Sequence, residues 1–290
     1  MLDPFILGAA LVNGITMGAV YALVALGLTL IYGVLHIINF AHGALLMLAM
    51  FAAYFLFTRL GLDPYAALPA MAAAFFALGY ALQRWIIGKT SHGRDENVLL
   101  VTLGIAIVIE NLALVLWRSD TRTIETDYVF AVVDLGLTFV PVPRLVAFAG
   151  ALVAAALLWL LIARTDLGRA IRAVARERQG ARLVGIDVEH IFAMCFGIGT
   201  AVVGAAACLI LPMFYVTPQV GNAFVLVAFT VVVLGGMGSF PGALAGGFVI
   251  GIVESLGGLF LGETLGQLGI FAIFILVLLF RPTGLFGARA

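Results

Sequence analysis

The chain has 290 residues, no formal net charge, 64% hydrophobic residues and only 10% charged ones. Soluble domains carry about 25% charged residues, so the composition excludes a water-soluble globule. The balanced charge, with no basic patch outside the loops, excludes a nucleic-acid binder.

The N-terminus, M-L-D-P-F, lacks the positive n-region of a secretory signal. The apolar run Phe5–Tyr32 is therefore expected to persist as a helix. A second run, Ile37–Thr58, follows; between them Leu35–Gly43 is a candidate re-entrant half-helix. After a turn at Arg59–Asp63 the chain returns to a basic loop with Arg84, Lys89 and Arg94. Asn97–Trp117 is the next apolar segment, interrupted by Glu110 and its neighbour Asn111. Each of these apolar runs exceeds the roughly 18 residues needed to cross about 30 Å of hydrocarbon.

Loop 118–144 carries Asp120, Glu125, Asp127 and Asp134, and Tyr128–Val140 reads as two short strands around D-L-G, a small external hairpin. Leu145–Ala163 and Ile191–Leu211 are apolar. Val220–Phe280 is almost continuously so, broken by glycine, proline, Glu254 and Glu263. Leu211–Asn222 has two prolines, and irregular backbone at membrane depth survives only where it is buried or lines water. Met213–Gly242 is the second candidate for re-entry. The 34 glycines, many within apolar runs, point to close helix packing in a multi-helix bundle.

Basic residues set the orientation, because short basic loops stay in the cytoplasm. Placing loops 84–94 and 164–190 and the C-terminus inside gives eleven Lys+Arg inside and four outside, with the N-terminus external. The expected fold is an all-α polytopic membrane bundle of about eight or nine segments, one transmembrane domain over residues 1–290.

Several motifs fail. Gly88-Lys89-Thr90 resembles the end of a phosphate-binding loop, but position 83 holds Gln83 where that pattern needs glycine. Val231–Gly242 imitates a dinucleotide-binding turn, but Pro241 stands where its last glycine belongs. His36, His42, His92 and His190 are scattered, so no metal site and no cofactor is expected. Cys195 and Cys208, about 220° apart around one helix, read as packing residues.

Loop 164–190 holds six of the fifteen Lys+Arg. Arg169, Arg172 and Arg176 share one helical face, with Ile171 and Val174 on another. Gly180 interrupts this pattern, so one helix and two short ones are both open. Gly185 suits a helix C-terminus and Asp187 an N-cap, with Glu189 favourable in the first turn. The pattern suits docking into a groove of a cytosolic partner.

The run G-R-A-I-R-A-V-A-R-E-R-Q-G-A-R-L-V-G-I-D, residues 168–187, resembles the cytoplasmic loop of permease subunits of bacterial ABC importers for branched-chain amino acids. I-N-F-A-H-G at 38–43, and G-G-M-G-S-F-P-G-A-L-A-G-G with the following G-I-V-E-S at 235–255, agree with the same family and stand in the same order. Urea and short-chain amide permeases are close relatives with similar motifs.

The resemblance implies a multi-pass inner-membrane permease paired with a second homologous permease subunit. It further implies two cytoplasmic ATPase subunits and a periplasmic substrate-binding protein. The ATPase-coupling residues it implies are Gly168, Arg169, Arg172, Arg176, Glu177, Gly180, Arg182, Leu183, Gly185 and Asp187. Candidates for the translocation path are the polar residues Asn39, His42, Glu110, Asn111 and Glu254, since ionisable groups in apolar segments usually face a bundle interior. A stand-alone secondary transporter would favour inverted repeats between its halves, and none is evident. A membrane enzyme lacks a convergent polar constellation.

Overall fold

The computed structural model describes residues 4–90, 95–134, 136, 138–281 and 284–286, without the side chains of 4, 95 and 263–267. His92, Arg94, Leu135, Arg289 and the Glu263 side chain, which enter the sequence reading, lie outside what is described.

Helix α1 (Pro4–Leu35) is followed by an irregular turn and α2 (Ala41–Leu60). Asp63 then caps α3 (Pro64–Ala81), its Oδ1 accepting from the Tyr65 N–H at 2.8 Å, with proline in the first turn. A π-helical stretch, Leu82–Ile87, carries α3 into the one-turn α4 (Gly88–Thr90). Helix α5 (Asp95–Trp117) leads to a hairpin, β1 (Val132–Asp134) against β2 (Phe139–Pro141), antiparallel with Val133 opposite Val140. Gly136 takes φ +77° in its turn and donates its N–H to Asp134 Oδ1 at 2.8 Å.

The second half runs α6 (Val142–Arg164), α7 (Asp166–Arg176), α8 (Arg178–Leu183), α9 (Val188–Ile210), α10 (Val220–Gly235), α11 (Phe240–Leu261) and α12 (Glu263–Phe280). Seven helices among the described residues are long and apolar enough to span a membrane, and the shorter apolar helices Val220–Gly235 and Leu268–Phe280 bring the set to nine. At sixteen residues α10 is about 24 Å long, short of the hydrocarbon thickness.

Two helices form the axis. The most apolar windows of α1 and α9 are each 89% buried, against 17–44% for the other five spans. Glycine lets the axis pack tightly. Gly14 and Gly18 of α1 face Gly251 and Gly247 of α11, two G-x-x-x-G patterns set antiparallel, so backbone meets backbone. On its other side α1 meets α9 at Gly27 against Gly199. Helix α9 is also tied to α3, where the Thr200 hydroxyl donates to the Phe75 carbonyl at 2.9 Å.

The bundle has two chemically distinct ends. At one, Arg178 reaches the last carbonyl of α1, Arg84 pairs with Glu189 at 3.6 Å, and Leu285 donates its N–H to the Leu234 carbonyl at 2.8 Å. This end gathers the basic residues: Arg84, Lys89, Arg281 and the six arginines of 164–182. At the other end Tyr128 donates to Asp63 at 2.8 Å, Arg122 and Val216 form a two-way backbone bridge, and Arg144 donates to Asn13 at 2.6 Å. Burial, followed by the bond to Asp63, pushes the Tyr128 phenol up to about 12.

The break in the basic loop corrects the sequence reading in one detail. It falls at Glu177, not at Gly180, which lies inside α8. Glu177 adopts φ −155° and caps α8, its Oε1 accepting from Gln179 at 3.1 Å, so a capping side chain rather than a glycine ends α7.

A Cβ on Gly18 would lie 2.6 Å from the Gly247 carbonyl oxygen, whereas one on Gly104 meets nothing within 4 Å. Gly18→Ala should therefore force α1 and α11 apart at a cost of about 1–3 kcal/mol. Gly104→Ala should be neutral or stabilising by up to about 1 kcal/mol. Reversible SDS titration of the two variants checks the ordering.

Candidate functional site

The basic loop is a folded unit. The Thr165 hydroxyl accepts from the Gly168 N–H at 3.0 Å and starts α7. Ile171 and Val174 are buried against the bundle, while Arg169, Arg172 and Arg176 project outward. Gly168 is buried, and a Cβ there would collide with the Ile162 carbonyl, so α7 turns back closely against the end of α6. Arg172 donates to that same Ile162 carbonyl, and Arg169 pairs with Asp166 one turn earlier.

Helix α8 is anchored from the other side. Arg178 donates to the Leu35 carbonyl at 2.7 Å and lies 5.1 Å from the centre of the Phe192 ring. Gly180 packs on Glu177, Arg182 is exposed, and Gly185 closes the unit at φ +88°. Asp187 caps α9 by accepting from the His190 N–H at 3.0 Å; that bond, aided by Arg84, holds its carboxyl below the usual carboxylate range. The tip is apolar: Leu183 is 89% exposed and Val184 75%. A cavity of about 600 Å³ behind this unit is lined by Arg84, Lys89, Arg178, Arg182 and Glu189 with Trp85.

The translocation candidates separate into three places. Asn39 and His42 sit at the break between α1 and α2, both buried. Asn39 Oδ1 accepts from the Ala41 N–H at 3.1 Å, and His42 Nε2 bonds the Val24 carbonyl at 2.9 Å, which stitches α2 to α1. His36 turns the chain there with φ +57°. Glu110 accepts from the Asn222 side chain at 3.1 Å and joins α5 to α10. Asn111 is exposed and donates to the Ile107 carbonyl of its own helix at 2.8 Å.

Glu254 is the one of these five that lines a cavity, of about 680 Å³, among the cavities described. That cavity opens toward the hairpin end, between α1, α11 and the start of α6. Its polar lining is Asn13, Arg144, Glu254 and Ser255, in a wall otherwise made of residues such as Ala9, Met17, Met213 and Phe214. Tyr21 of α1 is buried nearby, within electrostatic reach of both Glu254 and Arg144. The Ser255 hydroxyl donates to the Ala10 carbonyl at 2.7 Å.

Sequence reading did not single out Asn13 and Arg144, which line this cavity, or the nearby Tyr21. The available signal for Arg144 was a full charge just inside the start of an apolar run, which reads equally well as a loop end. Nothing local singles out Tyr21 or Asn13.

Residues 10–280 match the family described as branched-chain amino acid transport system, permease component. The chain is 36% identical to the high-affinity branched-chain amino acid transport system permease protein BraD of Pseudomonas aeruginosa, across 96% of this chain and 94% of that protein. It is 32% identical to the corresponding permease protein LivH of Salmonella typhimurium, across 95% and 94%. A probable branched-chain amino acid transport permease protein LivH of Methanocaldococcus jannaschii is 28% identical across 91% and 88%.

Removing the α9 cap tests how the loop is held. Asp187→Ala should cost about 0.5–2 kcal/mol in local stability at neutral pH and speed hydrogen exchange at residues 188–190. A lowered carboxyl stabilises only while ionised, so the difference from wild type persists through neutral pH. It vanishes only well below about pH 4, as the carboxylate takes up its proton.

Proposed function

This chain belongs to the family of permease components of branched-chain amino acid transport systems, and from that premise we propose the following division of labour. The chain forms the membrane path for branched-chain amino acids in an ATP-driven importer. It pairs with a second homologous permease subunit. Two cytoplasmic ATPase subunits bind below, and a periplasmic binding protein delivers the cargo above. The N-terminus and the hairpin face outward, while loop 164–190 and the C-terminus face the cytoplasm of a bacterial inner membrane. The positive-inside rule supports that orientation, because the end bearing the arginine-rich loop is the basic one.

Coupling is assigned to Gly168, Arg169, Arg172, Arg176, Glu177, Gly180, Arg182, Leu183, Gly185 and Asp187. The observation that carries this reading is the exposed apolar tip, Leu183 and Val184, ringed by outward arginines on a unit anchored to two membrane helices. An apolar patch with a charged rim fits a protein groove and not a solvated loop. Force applied at α8 would reach α6 through Arg172 and α1 through Arg178.

For the path, Glu254 is favoured because it faces a cavity. Glu110, Asn111, Asn39 and His42 are assigned lesser roles beside it, at helix contacts that would have to shift as the permease alternates its access. A zwitterionic cargo gives an acidic residue a cationic group to meet in transit.

Arg176→Glu combined with Leu183→Asp should reduce co-purification of the ATPase subunits at least about ten-fold, while membrane insertion stays intact. These two residues are preferable to Arg172, whose loss would also break the bond to Ile162. Undiminished co-purification from detergent-solubilised membranes would remove the docking role.

A further inference from the structure

The outer cavity holds two opposite charges that are not spent on each other. Arg144 is satisfied by the Asn13 amide oxygen at 2.6 Å, and Glu254 lines the same cavity. Asn13 is a neutral partner, and the ion pairs formed among described residues lie elsewhere, at Arg84–Glu189 and Arg169–Asp166. In a chain with only 10% charged residues, an arginine and a glutamate facing one space at membrane depth are conspicuous.

The helix geometry explains how they come together. Side chains tilt toward the N-terminus of their own helix. Because α1 and α11 run antiparallel through their glycine contact, Glu254 lies just beyond the Gly14–Gly251 approach, near the depth of Asn13, where its neighbour Ser255 bonds the Ala10 carbonyl. Arg144, at the start of α6, enters from the rim beside Asn13.

We propose that this cavity is a transit site for a zwitterion with an apolar side chain, in which Arg144 receives the carboxylate and Glu254 receives the ammonium group. The volume of about 680 Å³ lies in the range of ligand sites, about 300–1,000 Å³, which are mostly apolar with a few placed polar groups. The Met17, Met213 and Phe214 side of the wall takes the aliphatic part. A ligand with both charges satisfies both residues. A ligand with one leaves the opposite residue facing a low-dielectric space without a counter-ion. This assignment rests on the transport reading above and adds the ligand chemistry and the carboxylate partner to it.

The test uses the permease–ATPase complex in nanodiscs and saturation-transfer NMR with three probes: L-leucine, 4-methylpentanoate, which lacks the ammonium, and 3-methylbutylamine, which lacks the carboxylate. In the wild type leucine should bind at least about ten-fold better than either analogue. Arg144→Gln should abolish the preference for leucine over 3-methylbutylamine and keep that over 4-methylpentanoate. Glu254→Gln should do the reverse. Arg59→Gln, at the end of α2 and away from the cavity, should match the wild type. A merely structural role for either residue would not give this crossed pattern. Equal binding of the three probes to the wild type overturns the assignment without any variant, and so does a leucine preference that survives both substitutions. Leucine uptake by the complete importer in proteoliposomes separates the two readings. If the wild type moves no leucine the transport reading falls, whereas uptake with a flat probe pattern removes the zwitterion site alone.

Discussion

The contact of α1 with α11 is the constraint on which the rest depends. Lipid supplies no hydrophobic drive between helices, so association rests on close packing and on interhelical hydrogen bonds. Gly14, Gly18, Gly247 and Gly251 remove the side chains that would hold the two backbones apart. That fixes the depth at which Ser255 of α11 meets the Ala10 carbonyl of α1 and at which Asn13 meets Arg144. The same helix is gripped on its other face by α9 through Gly27 and Gly199, so α1 is located from two sides. The cavity at the hairpin end borders this contact, since Gly251 of α11 is part of its lining.

The axis also joins the two ends of the molecule. Helix α1 begins near the hairpin and ends at Leu35, whose carbonyl accepts from Arg178 of α8. The basic unit therefore touches the helix that carries Tyr21 and Asn13, and through Ile162 it touches the helix that carries Arg144. A displacement of α7 and α8 has two rigid routes to the polar lining and no flexible linker in either. The capping bonds at Thr165, Glu177 and Asp187 hold the three short helical joints of this unit against fraying.

Much of this was legible before any coordinates. Apolar runs of membrane length, the hairpin around Asp134 and Gly136, the two-faced α7 and the Asp187 cap all follow from local patterns with a physical cause. The joint at Glu177 was misplaced to Gly180 because glycine is the stronger generic breaker, while a glutamate reaching its own i+2 amide leaves little trace in sequence. The cavity was half legible. Glu254 stands out as an acid in an apolar run, but Arg144 lies 110 residues away in sequence and reads as the last residue of a loop. That Arg144 and Glu254 line one cavity depends on the antiparallel register of α1 and α11, which periodicity does not encode. Glu110 was singled out by the same logic as Glu254 and proved to bridge α5 and α10 away from that cavity.

The length of α1 has a further consequence. At 32 residues it is about 48 Å long, well beyond a hydrocarbon core of about 30 Å. Its most apolar window is enclosed as fully as that of α9, while its first turns expose Phe5, Ile6, Leu7, Leu11 and Ile15. Hydrophobic mismatch is felt only by surfaces that face acyl chains. The enclosed stretch of α1 therefore feels none, and the thickness that suits this protein is gauged by exposed helices such as α2, α5 and α6, whose 20–23 residues amount to about 30–35 Å. The membrane gauges the wall and leaves the enclosed part of the axis free of that measure.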